Sequence, residues 1–180
     1  MDEPPRPGSG PWAYFLTFAC YGARLHGSEK GSVDRNHNAV RTPLLPADHS
    51  RLLAGRGRML ESPARLNATA RSIALAAIQD ACAFRGWVLH AAHVRGNHVH
   101  VVVAAQLGPS DLLKKLKTRI SRALNEELGK RRWWAHHGST IPLWDPHRVD
   151  DAVKYTWDQG KPMARYINPN RWREQIRPNP

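Results

Sequence analysis

The sequence is poor in cysteine and in acidic residues, and it has no long apolar run. Its two cysteines, Cys20 and Cys82, lie far apart and outside any C-x-x-C pair, which argues against a disulfide framework or a zinc knuckle. Both occur in apolar segments, which predicts buried thiols in a reducing compartment. No segment approaches the roughly 18 apolar residues of a membrane span, and residues 1–10 lack the apolar core of a signal peptide. We therefore expect a cytoplasmic protein with no membrane contact.

The charge of the chain is strongly positive. Its 27 Lys and Arg outnumber 15 Asp and Glu, which gives a net charge of +12 and a pI near 10.5. Such an excess favours a polyanionic partner, above all nucleic acid, although a solubilising surface or a preference for arginine would give the same composition. The length of 180 residues suffices for one domain with a full core.

The pattern of apolar residues and turn formers predicts alternating strands and helices. We expect a disordered lead-in (1–11), a strand (12–20), a long irregular insertion (22–61) and a helix from Ser62-Pro63 to Gly86 (62–86). A hairpin of two strands (87–94 and 98–105) follows, and after it come a second helix (109–129), a short strand (140–144), a third helix (150–159) and a flexible tail (168–180). The order is that of a split βαβ unit. It predicts one α+β, ferredoxin-like domain over 12–167, with an antiparallel sheet, two helices on one face and a further C-terminal helix.

Two histidines stand at the head of the apolar run of the third strand. In Asn97-His98-Val99-His100 the two imidazoles point to the same face, because side chains along a strand alternate with a period of two. Imidazole is a common ligand of divalent cations, so His98 and His100 are candidate metal ligands. Such a pair also occurs in ordinary solvent-facing strands. Val102 argues against a hydrolase of the histidine-triad class, which would have a third histidine there.

A tyrosine and a glutamine lie four residues apart on the predicted third helix. At this spacing Tyr155 and Gln159 share one helix face. A phenol can act as a nucleophile, and its attack on a DNA phosphodiester would give a phosphotyrosine and a free 3′-hydroxyl. The Gln159 carbonyl suits Mg²⁺ or Mn²⁺, and with two histidines it would hold a metal that polarises the scissile phosphate. Asp158 is the alternative third ligand, and Tyr155 could equally be an ordinary residue of an amphipathic helix.

Basic and aromatic residues cluster on the second helix and in the segment that follows it. Lysine and arginine suit phosphate contacts, and tryptophan suits stacking on unpaired bases. A solvated helix face and a pair of core tryptophans would give the same pattern. Two arginines of the long insertion are further candidates for contacts to a hairpin. The candidate nucleic-acid ligands are Lys114, Lys115, Lys117, Arg119, Arg122, Arg131, Arg132, Trp133, Trp134, Arg24 and Arg35.

Together these motifs resemble the single-tyrosine HUH transposases (U is an apolar residue), in particular the IS200-like, REP-associated tyrosine transposases. The resemblance covers most of residues 12–166. It is carried by four segments of the chain. These are the first strand and its loop (14–22 with 31–35), the histidine strand with the valines after it (97–103), the middle helix (110–125), and the tyrosine helix with the turn that follows it (153–163).

The resemblance implies a ferredoxin-like DNA nickase and strand transferase that depends on Mg²⁺ or Mn²⁺ and acts on single-stranded DNA hairpins. It makes His98 and His100 metal ligands, Gln159 the third ligand, and Tyr155 the nucleophile that forms a 5′-phosphotyrosine.

Two other functions stay open at this point. A domesticated relative would bind structured single strands without cutting them, and a metal-dependent phosphodiesterase would act on small nucleotides with the same two histidines. The sequence also leaves open a homodimer in which the tyrosine helix is exchanged between chains. A second late tyrosine, Tyr166, is expected off the tyrosine helix, because Gly160 and Pro162 intervene.

Overall fold

The computed structural model describes residues 10–23, 25–28, 45–160 and 163–170. Five strands and four helices follow one another along these residues. In chain order they are β1 (Ala13–Ala19), α1 (His49–Gly57), α2 (Ala68–Arg85), β2 (Val88–Val94), β3 (His98–Ala104), α3 (Pro109–Leu128), β4 (Ser139–Leu143), α4 (Pro146–Trp157) and β5 (Ala164–Ile167). The protein is therefore α+β, as its sequence predicts. None of these four helices is long and apolar enough to cross a membrane.

The five strands form one antiparallel sheet in the order β4-β1-β3-β2-β5. The first four strands follow the split βαβ arrangement, in which α2 connects β1 to β2 and α3 connects β3 to β4. The pairing registers place Thr17 of β1 and His93 of β2 opposite His100 of β3. His100 therefore lies in the middle of the sheet, with a neighbouring strand on each side.

The two faces of the sheet are covered by different helices. Val99, Val101 and Val103 of β3 pack in one core cluster with residues of α2 and α3, whereas Val102 and Ala104 pack in a second cluster with residues of α4. Because side chains alternate along the strand, the histidines of β3 share the face that α4 covers. The predicted pair of helices on one face is confirmed, and the C-terminal helix lies on the opposite face.

The prediction that α2 begins at Ser62-Pro63 is wrong. The backbone amides of Ala64 and Leu66 donate at 2.9 Å to carbonyls of two other segments, which holds this stretch outside the helix. The helix begins after Asn67, whose side chain accepts a hydrogen bond from a first-turn amide at 2.8 Å. It ends where the sequence predicts, at Gly86, which adopts the left-handed conformation typical of a helix C-terminus.

Three other boundaries also differ from the predictions. α1 lies inside the stretch 22–61 that was expected to be irregular, and because it has no buried residue, no apolar periodicity marks it. α4 begins at Pro146, four residues early, because Asp145 caps it, and it ends two residues early at Trp157. β5 was not predicted, since it consists of four half-buried residues that pair with β2 at the sheet edge. Most of the predicted lead-in and tail lies outside the described residues.

Candidate active site and nucleic-acid surface

The two histidines of β3 lie side by side on the α4 face of the sheet. The ring centroids of His98 and His100 are 4.8 Å apart, and the ring planes are at 82°. His100 is buried, and His98 is half-buried at the start of the strand. The expectation that one strand face presents both imidazoles is confirmed, and their role as metal ligands stays a prediction.

A neighbouring side chain contacts the Nδ1 atom of each imidazole. Asn97 Oδ1 lies 2.7 Å from His98 Nδ1, and Thr17 Oγ1 lies 2.9 Å from His100 Nδ1. An amide oxygen only accepts hydrogen bonds, so this contact requires a proton on His98 Nδ1 and leaves Nε2 as the atom that would bind a metal. The Thr17 hydroxyl can hold His100 in the same tautomer by accepting from Nδ1. Outer contacts of this kind orient metal-binding imidazoles, so the pair fits one half of a divalent-metal site.

A metal site here needs ligands other than histidine. Within the described ranges, no group of three or more His, Cys, Asp or Glu side chains could hold a metal ion. A cation on His98 and His100 would therefore complete its shell with oxygens from an amide, water or phosphate. Such a mixed set of nitrogen and oxygen donors suits Mn²⁺ better than Mg²⁺, which prefers an all-oxygen shell.

Tyr155 of α4 contacts one member of the histidine pair, His100, through its ring. Its centroid lies 5.8 Å from that of His100, edge to face at 84°, and 5.8 Å from that of Phe15 at 82°. Phe15 in turn stacks on His100 at 5.6 Å and 16°. The Tyr155 side chain is 52% exposed, so its phenol is accessible to a substrate. The fold thus brings the predicted nucleophile next to a predicted metal ligand within one chain.

The expectation that Gln159 shares a helix face with Tyr155 is wrong, because α4 ends first. Trp157 is the last helical residue and Asp158 is the C-cap. Gln159 is half-buried, and its backbone carbonyl accepts a hydrogen bond from Arg95 Nη1 at 2.5 Å. Asp158 is exposed. Both candidate third ligands lie in the turn directly after the tyrosine helix, and the choice between their side chains stays open.

A groove with a volume of about 1260 Å³ lies between α3 and the segment 136–140. Three of the predicted nucleic-acid ligands line it, and they come from one face of α3. The lining contains four cations, one carboxylate and two histidines: Lys114, Lys117, Arg122, Lys130, Glu126, His136 and His137. Its excess of positive charge suits a phosphate backbone.

Lys117 differs from the other lysines of the groove. Its Nζ donates to Ala135 O at 2.5 Å and to His136 O at 3.1 Å. Burial lowers the pKa of this ammonium group. Lys117 therefore ties α3 to the opposite wall of the groove, and the expected phosphate contact is corrected to a structural one. Lys114 and Arg122 are exposed in the groove, and Lys115 is exposed outside it.

Three of the predicted arginines on or after α3 make contacts within the protein. Arg119 pairs with Asp80 at 3.9 Å, and Arg132 pairs with Glu61 at 3.7 Å. Arg131 donates to a backbone carbonyl at 2.9 Å. Exposed ion pairs contribute only about 0–1 kcal/mol, so Arg119 and Arg132 can exchange their carboxylate for a phosphate.

The two adjacent tryptophans differ in burial, since Trp133 belongs to the core and Trp134 packs against it. Trp133 is 5% exposed, and its Nε1 donates to Asn125 Oδ1 at 2.8 Å. Trp134 is half-buried, with its ring edge-on to that of Phe18 at 4.9 Å. A nucleobase cannot stack on a ring that the protein itself covers. The expected base stacking is therefore corrected for Trp133 and stays a prediction for Trp134, and both indoles help to fix the segment after α3.

Sequence reasoning missed residues that only the fold brings to these sites. Thr17 is far from His100 in sequence, and only the pairing of β1 with β3 reveals their contact. The histidines at 136–137 join the groove because Lys117 holds their segment. The predicted ligands Arg24 and Arg35 lie outside the described residues.

Comparison with known proteins supports the resemblance seen in the sequence. Residues 63–140 match the family model described as Transposase IS200 like. The chain is similar to the structure of a REP-associated tyrosine transposase bound to a REP hairpin, with a TM-score of 0.49 and 14% identity over 87% of this chain and 71% of that one. It is also similar to a proposed transposase from Deinococcus radiodurans R1, with a TM-score of 0.45 and 16% identity over 88% of this chain and 98% of that one. No curated protein gives a significant match. The resemblance is thus confirmed by the family model, and the segment that carries His98 and His100 matches the IS200-like transposases.

Proposed function

We propose that this protein is a metal-dependent tyrosine transposase that nicks and rejoins single-stranded DNA. The observation that carries the proposal is the adjacency of an accessible phenol to a histidine pair in one chain, with Tyr155 and His100 ring centroids 5.8 Å apart. The IS200-like family match supports the transposase class. The net charge of +12 and the cationic groove suit a polyanionic substrate.

In the proposed step, the phenol oxygen of Tyr155 attacks the phosphorus of a DNA phosphodiester. A bond forms between phosphorus and the phenol oxygen, and the bond between phosphorus and the 3′-oxygen breaks. The phenol proton passes to solvent, and the leaving oxygen takes up a proton to become a free 3′-hydroxyl. The product keeps a phosphodiester linkage to the protein, so a DNA 3′-hydroxyl can reverse the attack and join strands.

His98 and His100 would hold the divalent cation, with an oxygen of Gln159 or Asp158 as a third ligand. When bound, the cation stabilises negative charge that develops on the phosphoryl oxygens. The Thr17 hydroxyl orients the His100 ring. We therefore expect Thr17→Val to weaken Mn²⁺ binding by about 10-fold or more, as measured by calorimetric titration.

A DNA hairpin with a flanking single strand is the substrate that the surface supports best. The cationic groove lies on the α3 side of the sheet, and Tyr155 lies on the α4 side, with the edge strand β4 between them. On β4, Ile141 lies opposite Phe15 and is 47% exposed, so apolar surface continues from the tyrosine towards the sheet edge. Duplex phosphates in the groove and an unpaired strand passing over β4 would bring a phosphate to Tyr155.

The test is cleavage of labelled hairpin oligonucleotides that carry randomised flanks, in the presence of Mn²⁺. Wild-type protein is expected to give a slow-migrating covalent band on a denaturing gel. EDTA and Tyr155→Phe should each remove the band and leave binding in place, with an affinity that falls steeply with salt. Binding without a band across the whole library would contradict the nuclease and favour a non-catalytic binder. An affinity insensitive to salt would contradict a phosphate-backbone substrate.

A further inference from the structure

Three side chains, two from β2 and β5 and one from the residue after β2, reach backbone carbonyls at the C-terminal end of α4 and in the turn that follows it. His93 Nδ1 of β2 lies 3.1 Å from Thr156 O. Arg165 Nη1 of β5 donates to the carbonyl of Trp157 at 3.3 Å, and Arg95 Nη1, just after β2, donates to that of Gln159 at 2.5 Å. The last carbonyls of a helix have no partner within it, and side-chain donors can satisfy them. We name these three residues, His93, Arg95 and Arg165, the α4 clamp.

His93 is the innermost member of the α4 clamp. It is fully buried, and it lies opposite His100 in the β2–β3 register. Burial lowers the pKa of its imidazole. A carbonyl only accepts hydrogen bonds, so the contact requires a proton on His93 Nδ1, which is donated to Thr156 O. This contact links Thr156, the residue after Tyr155, to β2, which pairs with the histidine strand β3.

Each of the two arginines lies against a second residue near the end of α4, Arg165 against Trp157 and Arg95 against Gly160. The Arg165 guanidinium lies 3.6 Å from the centroid of the Trp157 ring, which is a cation–π contact in addition to its hydrogen bond. Gly160 adopts φ +57°, and a Cβ built there would lie 3.3 Å from the Arg95 guanidinium. A glycine thus permits both the turn after α4 and the close approach of Arg95.

We propose that the α4 clamp positions Tyr155 for attack, by fixing the last turn of α4 against β2 and β5. Tyr155 is 52% exposed and touches the site through two ring-edge contacts, so the placement of its phenol depends on the placement of its helix. A displacement of about 1 Å in a reacting group can cost about 100-fold in rate. The inference rests on the proposed function, since it assigns these residues a role in the tyrosine reaction.

The test compares two substitutions of similar size at His93. The amide nitrogen of His93→Asn can take the place of Nδ1 and donate to Thr156 O, whereas His93→Leu removes the donor. At saturating hairpin DNA and in single turnover, we expect His93→Leu to form the covalent product 10- to 100-fold more slowly. We expect His93→Asn to stay within about threefold of wild type. The dissociation constant for DNA should not change in either variant, because His93 lies outside the groove. A role in folding alone would lower the melting temperature and leave the single-turnover rate of the folded protein unchanged.

Amide hydrogen exchange of α4 provides a second readout that does not need catalysis. His93→Leu is expected to speed exchange in the last turn of α4, and His93→Asn to restore its protection. Unchanged exchange together with a wild-type rate in His93→Leu would overturn the α4 clamp. If wild-type protein forms no covalent product, the proposed function fails, and the exchange result still decides whether the α4 clamp holds the helix. Should His93→Leu fail to fold, Arg95→Met carries the same expectations at a half-buried position.

Discussion

Lys117 and Lys114 lie three residues apart on α3 and line the same groove, yet the structure gives them different roles. Lys117 Nζ donates to two carbonyls, of Ala135 in a partly buried setting and of His136 at the surface. Hydrogen bonds to a charged group contribute about 1.5–3 kcal/mol where buried and less where exposed, and the cost of burying the ammonium offsets part of this. We therefore expect Lys117→Met to lower the free energy of unfolding by about 2 kcal/mol. For a domain of this length that corresponds to a fall of about 4–8 °C in melting temperature.

The exposed Lys114 is the matched control. Methionine and lysine have similar helix propensities, so Lys114→Met should change the free energy of unfolding by less than about 0.5 kcal/mol. Its loss should instead reduce the slope of log K against log salt for hairpin DNA by about 0.9, the value for one contact to a duplex phosphate. Thermal unfolding and fluorescence anisotropy at several salt concentrations measure the two effects. The reasoning is refuted if Lys117→Met leaves the melting temperature unchanged and reduces the salt slope as Lys114→Met should.

Three further outcomes follow from the packing. In urea titrations, Gly160→Ala should lower the free energy of unfolding more than Gly86→Ala. Both glycines have positive φ, which costs alanine about 1–2 kcal/mol, but only at Gly160 would the new Cβ also meet a guanidinium, that of Arg95. Equal losses would contradict the close approach of Arg95 to Gly160. The thiols of Cys20 and Cys82 should react with Ellman's reagent at pH 8 only after unfolding, because burial raises the pKa of each thiol to about 12. Rapid reaction of the native protein would contradict their burial. Trp133→Phe should cost about 1 kcal/mol by removing the hydrogen bond from the indole to Asn125 Oδ1, which still accepts from the Arg131 amide, and it should leave the DNA affinity of the folded protein unchanged. A loss of affinity without a loss of stability would instead favour base stacking on Trp133.

The histidine strand and the second long helix could be predicted because their signals are local. Alternation along β3 places His98 and His100 on one face whatever the rest of the fold does. The apolar repeat of α3 likewise marks one face, and Leu116, Ile120 and Leu124 are all fully buried.

The helix boundaries show where local signals fail. Ser62-Pro63 and Asp145-Pro146 carry the same combination of a capping residue and a proline, and only the second begins a helix. The first is followed by Ala64 and Leu66, whose amides bond to other segments, and no sequence pattern reports such long-range partners. The placement of Gln159 beyond α4 follows from the same cause, because contacts from Arg95 set the turn there.

Composition could not separate structural cations and aromatics from those available to nucleic acid. Lys114 and Lys117 are identical in type and close in sequence, and only the segment that returns beside α3 distinguishes them. Trp133 likewise lies in the core, where its Nε1 donates a hydrogen bond to Asn125 Oδ1, and its residue type alone does not report this burial. The nucleic-acid surface predicted from charge alone therefore included residues that stabilise the groove walls as well as residues that face the groove.

The attachment point of DNA to the protein decides between this structure's two late tyrosines. Tyr155 contacts His100 on the α4 face, whereas Tyr166 lies on β5 and packs with the core cluster of α2 and α3. The measurement is mass spectrometry of proteolysed protein after reaction with hairpin DNA and Mn²⁺, for wild type, Tyr155→Phe and Tyr166→Phe. A nucleotide on the peptide that contains Tyr155, lost in Tyr155→Phe and kept in Tyr166→Phe, is the predicted result. A nucleotide on Tyr166, or a cleaved product with no protein-linked nucleotide, would contradict the assignment of Tyr155 as nucleophile.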